Sequence, residues 1–287
     1  MIEYPQIVTL PVSYIQNKIR EFLQEDAPEG DKTSLAIFRA SEKTSAIIQS
    51  QEDMVVAGLD FLNYFFDEKT KVETYFNDGE FVPSNSQMAK ISGYSIEILS
   101  RERVILNLIQ RLSGIATLTH RFVEIARPFN VKVLDTRKTT PGLRLFEKYA
   151  VRCGGGFNHR LDLSSGILIK DNHISAAGSI SKAIKKAFEY CYPMKIEVEV
   201  DNLQQILEAL ETGVDGFLLD NMTPDTIRKA VKMIRSYPGG NDIFIEASGG
   251  INLDNLQYYV DTGINAISSG SLTHSAKSSN IHMEIIL

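Results

Sequence analysis

The chain has 287 residues, 43% hydrophobic and 23% charged, with a formal net charge of −6. This is the composition of an ordinary soluble globular protein, long enough for one large domain or a large and a small one. It excludes several classes: the pI near 5.5 argues against bulk nucleic-acid binding, and no apolar run approaches the roughly 18 residues of a membrane span. The start, MIEYPQIVTLPVSYI, lacks the basic opening and unbroken apolar core of a signal peptide. Cys153 and Cys191 form no CxxC pair and cannot build a disulfide framework, so a reducing cytoplasm is the expected compartment.

The first hundred or so residues read as α+β. Val12–Glu25 has helical periodicity, with Ile15, Ile19, Phe22 and Leu23 on one face. GDKTS (Gly30–Ser34) follows as a loop. Ala46–Gln51 and Lys71–Phe76 read as strands, Met54–Phe66 as a helix, and Asn77-Asp78-Gly79 as a turn. A long helix is predicted over Ser100–Ala126, because Val104, Leu108, Leu112 and Ile115 recur at helical spacing.

Beyond that helix, short β-rich runs alternate with helical ones. The predicted strands are Val131–Leu134, Ile167–Ile169, Ile196–Val198, Gly216–Leu219, Ile243–Glu246 and Ala266–Ser268. The helices between them are Leu143–Arg152, Ser179–Tyr190, Leu203–Glu211, Pro224–Ser236 and Leu253–Thr262. Strand–helix alternation implies a parallel sheet with covering helices, and this number of units fits a β/α barrel. A doubly wound sheet is the competitor, but no GxGxxG opens a helix after a strand.

Asp135–Ile174 is the most informative stretch: DTRKTTPGLRLFEKYAVRCGGGFNHRLDLSSGILIKDNHI. Seven Lys/Arg face four acids in it, so a cationic segment sits in an acidic chain and suggests a compact polyanionic ligand. Gly154-Gly155-Gly156 would allow positive φ and close backbone approach. Each predicted strand also ends in polar residues: Thr136-Arg137-Lys138, Lys170-Asp171-Asn172-His173, Glu199, Asp220-Asn221, Ser248-Gly249-Gly250 and Ser269-Gly270-Ser271. One such residue is commonly just solvated loop; six in succession favour a shared site at the strand ends of a barrel.

Ser248-Gly249-Gly250 and Ser269-Gly270 suit a phosphate cradle, though two ordinary turns would read the same way. Glu199 and Asp220 are hard oxygen donors suited to Mg²⁺ or to sugar hydroxyls; salt bridges to Lys138 or Lys170 are the plain alternative. Glu197 shares the face of Glu199 by strand alternation and could replace or assist it. His159-Arg160 follows the glycine run, and several arginines together match a dicarboxylate. His120, His274 and His282 read as structural, Cys153 as a packing or loop cysteine, and Glu147 and Lys148 as surface residues of their helix.

DTRKTTPGLRLFEKYAVRCGGGFNHR followed by LIKDNHI resembles the quinolinate phosphoribosyltransferases. GDKTS, RERVILNLIQRLSGIATLT, IEVEV, LLDNM and EASGGINLDN add blocks in family order, so the resemblance covers nearly the whole chain. A molybdenum-transport-associated family shares parts of these motifs; the intact TRKTTPG, NHR and KDNH blocks favour the transferase. The resemblance implies an α/β protein of the type II phosphoribosyltransferase kind. An N-terminal open-faced α/β sandwich (1–115) would precede an incomplete parallel α/β barrel (116–272), with a segment (273–287) returning toward the sandwich. It implies a homodimer, or a higher oligomer such as a hexamer, with active sites shared between subunits. It further implies that Arg137, Lys138, His159, Arg160 and Lys170 line the quinolinate pocket, with Arg103 supplied by a neighbouring subunit, and that Thr136 is a substrate-binding residue. Glu199 and Asp220 would bind ribose and Mg²⁺-pyrophosphate. Ser248, Gly249, Gly250, Ser269 and Gly270 would hold the 5′-phosphate of phosphoribosyl pyrophosphate. Lys138, Lys170, Glu199 and Asp220 would be the catalytic set.

Overall fold

The structure is a computed structural model that describes residues 2–191 and 194–286. The reading of the Cys191 side chain lies outside the described residues. The chain forms two compact units that interleave in sequence. One comprises Ile7–His120, Thr140–Gly155 and Ser275–Leu287; the other comprises Met1–Gln6, Arg121–Thr139 and Gly156–His274. The division therefore falls at several points, and no single boundary separates the two.

The first unit is an antiparallel sheet with helices. Its strands are β1 (Lys43–Ser50), β2 (Met54–Val55), β3 (Lys71–Thr74), β4 (Phe81–Val82) and β5 (Gln87–Tyr94). The chain's last strand, Ile281–Ile286, pairs antiparallel with β1, and the main sheet runs from that strand through β1 and β5 to β3. Alternation decides which face is covered: Ala46, Ile48 and Ser50 of β1 are buried while the residues between them are not. Helix α1 is Val12–Asp26, and α3 is the long helix Ser95–Ala126. Val104, Ile105, Leu108, Ile109, Leu112 and Ile115 form the buried stripe of α3 at helical spacing.

Three expectations for this unit are corrected. GDKTS is no loop: Asp31 caps helix α2 (Lys32–Ile37), accepting the N–H groups of Thr33 and Ser34. Met54–Phe66 is not a helix. Met54-Val55 pairs as β2 with β4, and the Thr117 hydroxyl accepts the Val55 N–H at 2.9 Å. Gly58, at φ +110, then turns the chain into a 3₁₀ helix over Leu59–Phe65, whose first N–H groups are taken by Asp78.

The third correction concerns Glu147 and Lys148, both expected at the surface. They lie in α4 (Arg144–Cys153) and are fully buried. Glu147 Oε1 accepts from Arg111 Nη2 at 2.8 Å and from the Thr140 hydroxyl at 2.8 Å, while Oε2 accepts the Thr140 N–H at 3.0 Å. A charged residue in a short amphipathic pattern is usually solvated; here it staples the turn of the TTPG motif. The glycine run after α4 serves both expected purposes: a Cβ on Gly154 would overlap the Ala116 carbonyl of α3, and Gly155 takes φ +83. Cys153 fits its reading as a packing cysteine, since burial, and then the charge of Asp78, push its thiol up to about 12.

The second unit holds a six-stranded parallel ladder: β6 (Lys132–Leu134), β7 (Ile167–Ile169), β8 (Ile196–Val200), β9 (Gly216–Asp220), β10 (Phe244–Ser248) and β11 (Ala266–Ser268). The spatial order is β6-β11-β10-β9-β8-β7. Among the described residues no strand pairing joins β6 to β7; Phe157 bridges Leu134 there instead. Nearly continuous burial along β8, β9 and β10 is what a sheet covered on both faces requires. The covering helices include α6 (Ile180–Cys191), α7 (Leu203–Thr212) and α8 (Pro224–Ser236). Two helical details differ from expectation. Asp171–Ala177 forms a further short helix, α5, and the predicted helix Leu253–Thr262 reduces to α9 (Gln257–Val260). In the latter, the Asn252 carboxamide accepts the Asp254 and Asn255 N–H groups and holds the chain in a turn first. Among the described residues no helix is long and apolar enough to cross a membrane.

Candidate active site

All but one of the predicted site residues belong to the barrel unit. The exception is Arg103, which lies on α3 with an exposed side chain. Within the barrel unit, Asp135 does the joining. It follows β6 directly and is fully buried. Its Oδ1 accepts the His159 N–H at 2.9 Å and its Oδ2 accepts the Asn158 amide at 2.6 Å. Phe157 completes the join through backbone bonds to Val133 O (2.7 Å) and from Asp135 N (3.0 Å). The DTRK and NHR motifs are thus laid side by side. Asp135 was counted only as one acid among four; its position between an apolar strand and a cationic run was the available signal.

Arg137 and Arg160 share one region. Arg160 is 5% exposed and donates to the Gly166 carbonyl at 3.1 Å. Its guanidinium is pushed below the usual range by burial and then by the like charge of Arg137. Arg137 is half-buried, and its buried Nε has no acceptor among the described residues. Two neighbouring guanidinium groups, one with an unused buried donor, form an anion-receptive pair. Thr136 accepts the Lys138 N–H at 3.0 Å, which turns the chain so that Lys138 is exposed.

The strand ends hold the opposite charge. Glu199 on β8 forms an ion pair with Lys170. Lys138, the other suggested partner, makes no ion pair among the described residues. Asp220 ends β9 next to Ser248 of β10, and its Oδ2 accepts the Asn221 amide at 2.7 Å. Glu199 Oε2 and Asp220 Oδ2 are thus engaged, and among the described residues the other oxygen of each carboxylate takes no hydrogen bond. Two partly exposed carboxylates on adjacent strand ends are a donor set that fits Mg²⁺.

The Gly/Ser ends of β10 and β11 are closely built. Gly249 has φ +90, and a Cβ there would overlap the Asn221 side-chain amide. Asn221 itself has φ +53, so each residue depends on the other's conformation. Ser248 accepts from the Ser268 hydroxyl at 3.0 Å. Ser269 is buried; its N–H goes to Leu134 O and its hydroxyl to Ile251 O, so it shapes the loop. Gly270 is flanked by the Lys138 side chain and the His274 ring. His274, expected to be structural, has its ring packed beside Gly270.

Behind the strand ends lies a buried group. His159 Nε2 is 3.3 Å from Glu197 Oε2 and 3.6 Å from Glu246 Oε2, and both carboxyls are fully buried. One ligand atom from each of the three residues lies within 4.8 Å of the others. The Arg160 N–H donates to His159 Nδ1 at 2.8 Å, which places the proton of the neutral ring on Nε2, facing the carboxyls. Burial lowers the His159 pKa, but Glu246, Glu197 and Asp135 outweigh it and the net direction is up. Glu246 went unremarked in the sequence, being one letter inside an apolar strand. Burial pushes its carboxyl up to about 8, against the pull of His159.

A folded-state pKa above the unfolded one means stability that is full below the unfolded pKa, near 4.5, and is lost as pH rises through about 8. Wild-type melting temperature is accordingly expected to fall as pH is raised from 5 to 8. Glu246→Gln, which cannot ionise, is expected to flatten that fall. A thermal-denaturation series in both proteins checks it; identical slopes would refute the protonated Glu246.

The N-terminal-domain model of quinolinate phosphoribosyl transferase matches residues 31–113, and the C-terminal-domain model matches residues 115–284. Among curated proteins, the chain is 43% identical over 277 residues to a probable nicotinate-nucleotide pyrophosphorylase [carboxylating] of Bacillus subtilis, covering 95% of this chain and 94% of that one. It is 39% identical to quinolinate phosphoribosyltransferase [decarboxylating] 2, mitochondrial, of Nicotiana glauca, covering 92% of this chain and 80% of that one. Among solved structures, the nicotinate-nucleotide pyrophosphorylase from Francisella tularensis superposes with a TM-score of 0.93 at 36% identity, covering 99% of this chain and 100% of that one.

Proposed function

The chain belongs to the quinolinate phosphoribosyltransferase family, and from that premise we propose how its residues carry out the family's reaction. The activity is decarboxylating phosphoribosyl transfer in NAD biosynthesis: quinolinate and phosphoribosyl pyrophosphate give nicotinate mononucleotide, pyrophosphate and CO₂. The observation that carries the assignment of roles is the Arg137–Arg160 pair with its unused buried donor. Quinolinate is a dianion, and paired guanidinium groups hold two carboxylates in fixed directions.

Arg137 and Arg160 bind and orient quinolinate, with His159 lining the pocket and holding the Arg160 backbone through Nδ1, and Thr136 shaping their loop. Lys138 and Lys170 face the pyrophosphate, where they offset the charge that develops as it leaves. Glu199 and Asp220 hold the ribose hydroxyls and would also hold Mg²⁺, which would supply charge neutralisation for the pyrophosphate. Glu199 is favoured over Glu197 for this role because Glu197 is fully buried and bonded by Tyr4, whereas Glu199 keeps some exposure. Its carboxylate also stabilises cationic character at C1′ by charge proximity. Ser248, Gly249, Gly250 and Gly270 receive the 5′-phosphate, on loops shaped by Ser269. Once the ring nitrogen is quaternary, it stabilises the carbanion left by loss of the 2-carboxylate. No protein nucleophile is needed, and the chain's contribution is orientation and electrostatics. The test is product formation with purified protein: quinolinate, and not nicotinate, is expected to yield nicotinate mononucleotide in the presence of Mg²⁺. Equal use of both acids would overturn the dicarboxylate assignment.

We further propose that two copies of the chain share their sites, with Arg103 of each serving the other as the third pocket arginine. Its exposed position on α3 is what supports this. Arg103→Ala and Lys170→Ala chains are each expected to be nearly inactive alone. After mixing and subunit exchange, mixed dimers would hold one intact site, and about a quarter of wild-type activity is expected from random pairing. No recovery, with exchange verified, would refute sharing.

A further inference from the structure

The first residues of the chain gave no functional reading in the sequence, yet the barrel unit is built around them. Ile2 is buried with Leu134, Phe244 and Ala266, and its side chain fills the space beside Gly216. Two residues on, the Tyr4 ring stacks on the His159 imidazole, with centroids 4.5 Å apart and 27° between the planes. The Tyr4 hydroxyl donates to Glu197 Oε2 at 2.8 Å, the same oxygen that faces His159 Nε2. Gln6 Oε1 accepts the Asn158 N–H at 2.8 Å, and its Nε2 donates to Asn158 O at 3.1 Å and Tyr4 O at 2.8 Å. The Asn158–Arg160 segment is therefore held from one side by Asp135 and from the other by Tyr4 and Gln6.

We propose that Tyr4 is a positioning residue for recognition of the pyridine dicarboxylate: its ring fixes the imidazole plane of His159 and its hydroxyl fixes the carboxyl behind it. The inference rests on the reading of His159 and Arg160 as quinolinate-side residues. An apolar plug like Ile2 would serve packing alone; Tyr4 instead directs its ring and its hydroxyl at two members of one buried group. Burial, reinforced by Glu197, raises the phenol pKa far above the working range, so the hydroxyl remains a donor throughout. A buried hydrogen bond and an aromatic stack on one side chain restrict the imidazole to a single orientation, and loose orientation of a binding group weakens binding of the ligand it serves.

Tyr4→Leu removes ring and hydroxyl; Tyr4→Phe keeps the ring. In the full chain, Tyr4→Leu is expected to raise the KM for quinolinate about tenfold and its Kd by calorimetry alongside, while the KM for phosphoribosyl pyrophosphate stays within about twofold. Tyr4→Phe is expected to recover most of that loss. A lowered melting temperature with both KM values unchanged, or raised equally, would make Tyr4 a packing residue and overturn the inference. Should Tyr4→Leu not fold, Tyr4→Phe decides alone: a rise of about threefold confined to quinolinate supports the role, and no rise overturns it. Failure of the underlying reading is separate, because it would appear as an Arg160→Lys chain whose KM for quinolinate is unchanged.

Discussion

Arg137→Ala is expected to lower kcat/KM for quinolinate by about 10²–10³-fold, the equivalent of ~3–4 kcal/mol lost when a charged partner of a buried ionic contact is truncated. The KM for phosphoribosyl pyrophosphate is expected to move by less than about threefold. The reason lies in the free protein. Arg137 sits beside Arg160, both partly desolvated, and its buried Nε has no acceptor among the described residues. A like-charged pair of this kind is unfavourable until an anion arrives, so ligand binding relieves a cost that already exists. Arg137→Lys is expected to recover little, since a point charge cannot make the planar two-bond contact of a guanidinium. Initial-rate kinetics with each substrate varied separately would check this. Equal losses for both substrates would remove Arg137 from the quinolinate side.

Glu147→Ala is expected to destabilise the protein by ~3–5 kcal/mol, because it leaves the Arg111 guanidinium without its buried counter-ion. In a chain of this size that corresponds to a fall in melting temperature of roughly 6–15 °C. The residue's carboxylate is shared: Arg111 contacts it through Nε (3.2 Å) and Nη2 (2.8 Å), and Thr140 through its hydroxyl and N–H. Arg111 also donates to Ala276 O at 3.1 Å, which ties the returning C-terminal segment to α3. Glu147→Gln keeps the shape and one acceptor, and is expected to lose about half as much. Chemical denaturation with a fitted m-value would measure both. A loss below about 1 kcal/mol would mean that the buried pair is dispensable.

Much of the barrel unit was legible from periodicity. Six apolar runs of strand length fell where β6 to β11 are, since both faces of a parallel sheet are covered and the runs stand out against amphipathic helices. The polar residues that follow the strands lie on one side of the sheet for the same reason, because the strands run parallel. Three kinds of feature escaped. Short pieces such as Met54-Val55 follow long-range partners, here β4 and Thr117, over local propensity. Buried charges such as Glu147, Glu197 and Glu246 look like surface letters until their partners, tens of residues away, are known. Finally, Tyr4 and Asp135 act on residues more than 20 positions distant, and no spacing rule links them to the NHR motif.

Release of CO₂ from the 2-carboxylate of quinolinate, measured with and without phosphoribosyl pyrophosphate, tests the central claim most directly. CO₂ is expected in equal amount to nicotinate mononucleotide and pyrophosphate, and none when the sugar substrate is omitted. Folded protein that releases no CO₂ with both substrates and Mg²⁺ present, or that releases it without phosphoribosyl pyrophosphate, would contradict it.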